Sequence, residues 1–150
     1  MSDMRPELSK RSKYYIDRLR YYELKYFCLQ YPEWKKRQAE IDGYVNNRID
    51  IFRSGTAEYT DQTYSQVQMR SYYSDNIKLL EDAAQLTDPI LRDYILKGVT
   101  EGLSYSILQA RYMIPCCRDI YYDRYRKFFW ILNVLKHKHA GDDDRCYIDI

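Results

Sequence analysis

The scarcity of residues that interrupt a helix is the feature that most constrains this fold. Only five glycines and four prolines occur in 150 residues. In the long segments between them, apolar residues recur at steps of three and four. That spacing places apolar side chains on one face of a helix, whereas a half-buried strand would alternate apolar and polar residues. The sequence therefore predicts an all-α protein.

Three helices are predicted in residues 1–86, which form an N-terminal helical arm or hairpin. The first runs from about Ser9 to Tyr31, and Pro32 then occupies the first turn of the second, where its missing N–H costs little. A break at Ser54-Gly55-Thr56 separates the second helix from a third, at about 61–86. A plain three-helix core explains the same apolar stripes equally well.

Apolar spacing also predicts which side of each N-terminal helix is buried. On the first helix the predicted buried stripe consists of Tyr15, Leu19, Tyr22, Tyr26 and Leu29. On the third helix the predicted buried residues are Val67, Tyr72, Asn76, Leu79 or Leu80, Ala83 and Leu86.

A second group of helices is predicted in residues 87–139. Thr87-Asp88-Pro89 can cap and open one helix, with Ile90, Leu91, Tyr94, Ile95 and Leu96 as its apolar surface, and the segment 98–102 can end it. Ser104 is expected to cap a short helix, and Tyr112-Met113-Ile114-Pro115 forms a turn. A long helix then runs over about 116–135. This pattern is typical of a helix-turn-helix module.

Inside that module, Ile114 is expected to fill the angle between the two helices, and Ile120 is expected to be the central buried residue of the long helix. Many helix-turn-helix sequences have glycine in the turn, where this chain has Met113.

The charge distribution favours a nucleic-acid partner, although the net charge is only +2. From Arg111 to Lys138, seven basic residues stand against two acidic ones, a local charge of +5. The last ten residues carry four aspartates and one arginine, a local charge of −3, so 140–150 is expected to be an acidic tail. A basic segment of this kind suits contact with DNA phosphates.

The predicted DNA-contacting residues lie on the short helix and on the outer side of the long one. Near the start of the long helix they would approach base edges, where arginine can bond O6 and N7 of guanine together. Arg124, Arg126 and Lys127 lie further along and are expected to hold phosphates, which position the protein without specifying sequence. An amphipathic helix with solvated arginines is the alternative explanation. The full set is Ser104, Tyr105, Cys117, Arg118, Tyr121, Tyr122, Arg124, Tyr125, Arg126 and Lys127.

Several other function classes are disfavoured by the sequence. No Gly-rich phosphate loop occurs, no serine or cysteine lies in a nucleophile motif, and the two histidines are both near the C-terminus. We therefore expect no enzymatic activity and no cofactor. The spacing of His137 and His139 fits no structural zinc pattern, so no metal site is expected. Without a long apolar run or a signal-peptide pattern, the expected location is the cytoplasm of a cell.

Four segments carry a resemblance to a known family. They are residues 88–105 (Asp88-Pro-Ile-Leu-Arg-Asp-Tyr-Ile-Leu-Lys-Gly-Val-Thr-Glu-Gly-Leu-Ser-Tyr), 114–119 (Ile114-Pro-Cys-Cys-Arg-Asp), 121–130 (Tyr121-Tyr-Asp-Arg-Tyr-Arg-Lys-Phe-Phe-Trp) and 26–34 (Tyr26-Phe-Cys-Leu-Gln-Tyr-Pro-Glu-Trp). Together they comprise 43 of the 150 residues, and they resemble small phage and prophage regulators of the ArpU/RinA type.

The resemblance implies a phage-encoded transcription regulator with a helix-turn-helix like that of sigma region 4. Such a protein would act in the cytoplasm of a bacterial host cell. Double-stranded DNA would be its partner, and RNA polymerase and a second copy of the chain are further candidates. Residues 53–61 depart from the family, in which a longer Gly/Ser-rich loop ends in an Asp-Pro turn. A function of a different class also fits the sequence, because its 18 tyrosines could form a surface that binds a host protein. In that case the chain is a non-enzymatic, phage-borne interaction factor.

Overall fold

The computed structural model describes residues 12–53 and 61–139, and this part of the chain is helical without any strand. The prediction of an all-α protein is confirmed for these residues. Their helices are α1 (Arg18–Leu29), α2 (Tyr31–Arg53), α3 (Asp61–Thr87), α4 (Arg92–Glu101), α5 (Tyr105–Tyr112) and α6 (Arg118–His139). The predicted first helix, from about Ser9 to Tyr31, is too long, because residues 12–17 are not helical, α1 ends at Leu29 and Tyr31 already begins α2. The predicted break at 54–56 and the acidic tail at 140–150 lie outside the described residues.

The helices divide into two compact units. Within the described residues, the first unit comprises 12–29 and 79–139, and the second comprises 30–53 and 61–78. The boundary predicted near Thr87 therefore falls inside the first unit, which combines α1 and the end of α3 with α4, α5 and α6. All of the predicted DNA-contacting residues belong to this unit.

Residues that cap or interrupt helices set several of the helix ends. Pro32 is the second residue of α2, as predicted. Before α4, one carboxylate oxygen of Asp88 accepts hydrogen bonds from the backbone N–H groups of Ile90 (3.0 Å) and Leu91 (3.3 Å). At the other end of α4, Gly102 adopts a left-handed conformation with φ 67°, and its N–H donates to the carbonyl of Gly98. Glycine adopts this conformation without steric cost, which explains why α4 ends there.

The core of the first unit forms around α4, which contacts α1, α5 and α6, while α1 also packs on α6. Tyr21 of α1 meets Phe129 of α6 edge to face, with ring centroids 5.1 Å apart, and Phe128 meets Phe129 in the same way at 5.2 Å. Burial of one large apolar side chain contributes about 1.5–3 kcal/mol. The fully buried core residues include Tyr21, Leu24, Leu80, Ile95, Leu108, Tyr121, Phe128, Phe129, Ile131 and Leu132.

The predicted buried stripe of α1 is wrong. Leu19 is 83% exposed and Tyr26 is 63% exposed, whereas Tyr21, Leu24 and Cys28 are fully buried. Both sets of residues are spaced by three or four, so the periodicity alone could not choose between them. The aromatic contact of Tyr21 with Phe129 shows which side of α1 meets α6.

A similar error affects α3 and α4. Leu79, Leu80 and Ala83 are buried as predicted. Tyr72, however, is exposed and its neighbour Tyr73 is buried. A shift of one residue turns a helical face by about 100°. The predicted core residues Val67 and Leu86 of α3 are likewise exposed, as is Ile90 before α4.

Candidate nucleic-acid interface

The turn between α5 and α6 is short and well defined. Ser104 precedes α5 in an extended conformation, and its carbonyl accepts hydrogen bonds from the N–H groups of Ile107 and Leu108, both at 3.1 Å. Met113 follows α5 with φ 51° and ψ 50°, so it takes the left-handed conformation that often selects glycine. Ile114 is only 6% exposed, which confirms its predicted buried position. Five residues, 113–117, thus connect the two helices.

Tyr105 holds this turn in place. Its hydroxyl donates a 2.7 Å hydrogen bond to the carbonyl of Cys116, just before α6 begins. Its ring lies 5.9 Å, centroid to centroid, from the ring of Tyr121. Tyr105 is buried, so its role in the structure is to join the start of α5 to the start of α6. Its partner on the turn is not apparent from spacing, so the sequence predicts a DNA contact for Tyr105 instead.

The predicted central buried residue of α6 is wrong by one position. Ile120, the expected buried residue, is 47% exposed, whereas Tyr121 is completely buried. Tyr121 lies within an aromatic cluster, 5.1 Å from the ring of Tyr122 and 6.2 Å from that of Tyr125. Tyr121 therefore has no surface with which to approach a base edge. Burial, more than the neighbouring groups, raises the pKa of its hydroxyl, because ionisation away from water is unfavourable.

Most of α6 is covered by its own unit. Arg118, Asp119 and Ile120 are exposed, but every residue over 121–136 is buried or half-buried. Three kinds of contact with α1 account for much of this cover. The hydroxyl oxygens of Tyr21 and Tyr125 share a 2.8 Å hydrogen bond, Arg20 Nε donates to Asn133 Oδ1 at 2.7 Å, and Lys136 Nζ lies 3.8 Å from the centroid of the Phe27 ring. The first turn of α6 is consequently its most accessible part.

Arg124 is engaged with carboxylates. Its Nε donates to Asp88 Oδ2 at 3.1 Å, and its Nη1 donates to Asp123 Oδ2 at 2.7 Å. Partial burial would raise the pKa of Asp88, but the hydrogen bonds from Arg124 and from the N–H groups of Leu91 and Ile90 outweigh it, so the pKa is lowered. The hydrogen bond with Asp88 likewise raises the pKa of Arg124. The pairing with Asp88 connects α6 to the turn before α4. The Arg124 guanidinium, predicted to hold a phosphate, is therefore already bonded to protein carboxylates.

The surroundings of Arg118 differ from those of Arg124. Arg118 is exposed, its guanidinium carbon lies 5.6 Å from the centroid of the Tyr122 ring, and it has no ion pair with any described residue. Arg126 is eight residues further on, on the same side of α6 by spacing, and Lys127 follows it. Both are half-buried, and neither pairs with a carboxylate among residues 12–53 and 61–139.

The remaining predicted residues differ in accessibility. Cys117, just before α6, is exposed, whereas Ser104, Tyr122 and Tyr125 are half-buried. The predicted set lacks one basic residue that contributes to the local positive charge. Arg111 lies in the last turn of α5 and is exposed. Its position next to the turn is the signal that could have identified it.

A cleft of about 570 Å³ opens beside this region, within the first unit. Lys25 and Leu29 of α1 form part of its wall, and α4, α5, α6 and the connecting residues 102–104 supply the remainder. Gly98 of α4 lies at the cleft, and a Cβ added there would overlap the hydroxyl oxygen of Tyr121. That hydroxyl is buried and has no hydrogen-bond partner among the described residues.

No protein-family model, curated protein or solved structure matches this chain. Among residues 12–53 and 61–139, no helix combines the length and the apolar character needed to cross a membrane. In the same part of the chain, no group of three or more His, Cys, Asp or Glu residues is arranged to hold a metal ion.

Proposed function

We propose that this chain binds double-stranded DNA through α5, the turn and the start of α6, and that it is a sequence-specific transcriptional regulator of phage or prophage genes. The observation that carries the proposal is the exposed first turn of α6, which presents Arg118 directly after a short turn. In helix-turn-helix proteins, the N-terminal residues of the second helix contact base edges. The helix-turn-helix arrangement itself is part of the proposal.

Different basic residues would have different roles at such an interface. Arg118 is the candidate for base contact, because its guanidinium is exposed and pairs with no described carboxylate. Arg111 and Arg126 would contact phosphates, which adds affinity but little specificity. Tyr105 and Tyr121 would support the interface from within, and Arg124 would do so through Asp88.

The regulatory part of the proposal depends on the resemblance to phage regulators of the ArpU/RinA type. Such a regulator would act at a promoter, where RNA polymerase is a natural second partner. A homodimer would contact two half-sites about one helical turn apart, which improves both affinity and specificity.

The direct test is selection of bound duplexes from a random pool at near-physiological ionic strength. Arg118→Ala should weaken binding to the selected duplex by about 1–3 kcal/mol and relax the preference at one base position. Arg37→Ala is the matched control, because Arg37 is an exposed arginine in the second unit whose pairing with Glu33 contributes little. The proposal fails if no duplex is enriched, or if both variants bind the selected duplex as the wild type does.

The exposed side of α1 favours a second candidate function, that of a non-enzymatic protein-interaction factor. Leu19 and Tyr26, seven residues apart and both exposed, lie on one side of α1. Apolar residues at such spacing can bind a partner helix or groove. The double substitution Leu19→Ser and Tyr26→Ser should abolish association with a host protein if this function is correct. The salt dependence also separates the two functions, because DNA binding weakens steeply as salt rises.

A further inference from the structure

The cleft described above has the size and lining of a small-molecule site. Its volume of about 570 Å³ lies within the range of about 300–1,000 Å³ that is usual for ligand pockets. Four aromatic residues of α6 contribute to the wall, namely Tyr121, Tyr122, Tyr125 and Phe129. Aromatic side chains favour a planar ring as the occupant, by stacked or edge-to-face contact.

The charges at the cleft favour an anion. Lys25 and Arg118 both line it, and no aspartate or glutamate is among the described residues of the lining. The start of α5 also reaches the cleft through Ser104 and Ser106. Ser104 makes no side-chain hydrogen bond to the first N–H groups of α5, and such groups carry a partial positive charge. Two cations and a helix N-terminus together suit a doubly charged group such as a phosphate.

Tyr121 forms the inner wall of the cleft. Tyr121 is completely buried, it lines the cleft, and its hydroxyl has no hydrogen-bond partner among the described residues. This hydroxyl lies against Gly98, another lining residue, where any larger side chain would overlap it. Because Tyr121 has no exposed surface, an occupant of the cleft would meet the half-buried rings of Tyr122 and Tyr125 and not this hydroxyl.

We propose that this cleft binds a planar aromatic phosphate of nucleoside monophosphate size. The ring lies among the tyrosines of α6, and the phosphate lies between Lys25, Arg118 and the start of α5. This proposal does not depend on DNA binding, because the cleft is a separate feature of the first unit, although Arg118 would serve both sites.

The test is calorimetric titration of the whole chain, without DNA, using adenosine 5′-monophosphate as the probe. Adenosine and inorganic phosphate are titrated separately as controls. Adenosine has the planar ring without the phosphate, and inorganic phosphate has the charge without the ring. We expect the monophosphate to bind at least about tenfold more tightly than either. Arg118→Gln and Lys25→Gln should each reduce its affinity at least about tenfold, because each removes a charge-assisted hydrogen bond.

Two further variants make the outcome decisive. Arg37→Gln removes the same charge from the second unit and should leave the affinity unchanged. Ser106→Trp fills the cleft from the exposed side of α5 and should abolish binding while the thermal unfolding transition persists. The proposal is overturned if the monophosphate does not bind, if it binds no better than phosphate alone, or if Ser106→Trp binds it normally. None of these results would change the outcome of the duplex selection, so the two proposals fail separately.

Discussion

Replacement of Gly98 by alanine should destabilise the first unit, although alanine normally stabilises a helix. Gly98 lies in α4, and a Cβ there would overlap Tyr121 Oη and lie 3.4 Å from Leu108 Cδ1. Tyr121 cannot easily swing away, because it is completely buried and its ring contacts those of Tyr105, Tyr122 and Tyr125. The backbone of α4 and the ring of Tyr121 must therefore shift to admit the methyl group.

The change in stability caused by Gly98→Ala is the sum of two opposing effects. Replacing glycine by alanine within a helix normally stabilises the protein by about 0.8–1 kcal/mol. Overpacking of a filled core costs about 1–3 kcal/mol. Gly43 in α2 is the control for the first effect alone, since nothing lies within 4 Å of a Cβ placed there. Gly98→Ala should therefore be about 1–3 kcal/mol less favourable than Gly43→Ala.

A double-mutant cycle with Tyr121→Phe isolates the overlap, because phenylalanine lacks the oxygen that the methyl group would meet. The free energy of unfolding of the first unit should fall in Gly98→Ala and recover in Gly98→Ala combined with Tyr121→Phe. Amide hydrogen exchange of α4 and α6 reports this free energy for that unit separately from the one containing Gly43. Equal stabilisation by Gly98→Ala and Gly43→Ala would refute the contact between α4 and Tyr121.

Two further predictions concern the packing of α6. Ile114→Ala should lower the free energy of unfolding by about 2–5 kcal/mol and Ile120→Ala by less than about 0.5 kcal/mol, because only Ile114 is buried. Urea unfolding of the two variants gives the comparison. Equal losses of stability would contradict the orientation of α6. The pairing of Asp88 with Arg124 should make stability depend on pH at the acid end. The pKa of Asp88 is lower in the folded protein than its ordinary value of about 3.9. The stabilisation that ionised Asp88 gives to the fold is therefore complete above that ordinary pKa and is lost as the pH falls through the folded pKa. Asp88→Asn should therefore lose less stability than the wild type on acidification, and identical acid unfolding curves would show that the pairing contributes nothing.

Residues that interrupt or cap helices made the ends of the helices predictable. Pro32 lies in the first turn of α2, Gly102 ends α4, and Ser104 precedes α5, as the sequence predicted. The predicted start of α4 at Asp88 and Pro89 is wrong, because the helix begins only at Arg92. These effects are local, because a missing N–H, a capping carboxylate or a left-handed glycine acts within a few residues. Only Met113 departs from the expected residue type, and it still adopts the conformation of a turn glycine.

The buried faces could not be predicted in the same way. Tyrosines lie on more than one side of α1 and α6, so the apolar spacing allows several orientations of each helix. The orientation is decided by tertiary partners, and the hydrogen bond between Tyr21 and Tyr125 joins residues more than one hundred positions apart. For the same reason the sequence could not distinguish Arg118, which is exposed, from Arg124, which pairs with Asp88.

The thiol of Cys117 provides the most direct measurement of whether the start of α6 contacts DNA. Cys117 is exposed immediately before α6, whereas Cys28 is fully buried and burial raises the pKa of its thiol, so Cys28 is a slow internal reference. Alkylation is followed at each cysteine by mass spectrometry, with and without the selected duplex. At a DNA concentration about 100 times Kd, little free protein remains, and alkylation of Cys117 should slow at least about tenfold. An unchanged rate at Cys117 under saturating DNA would contradict binding through this turn.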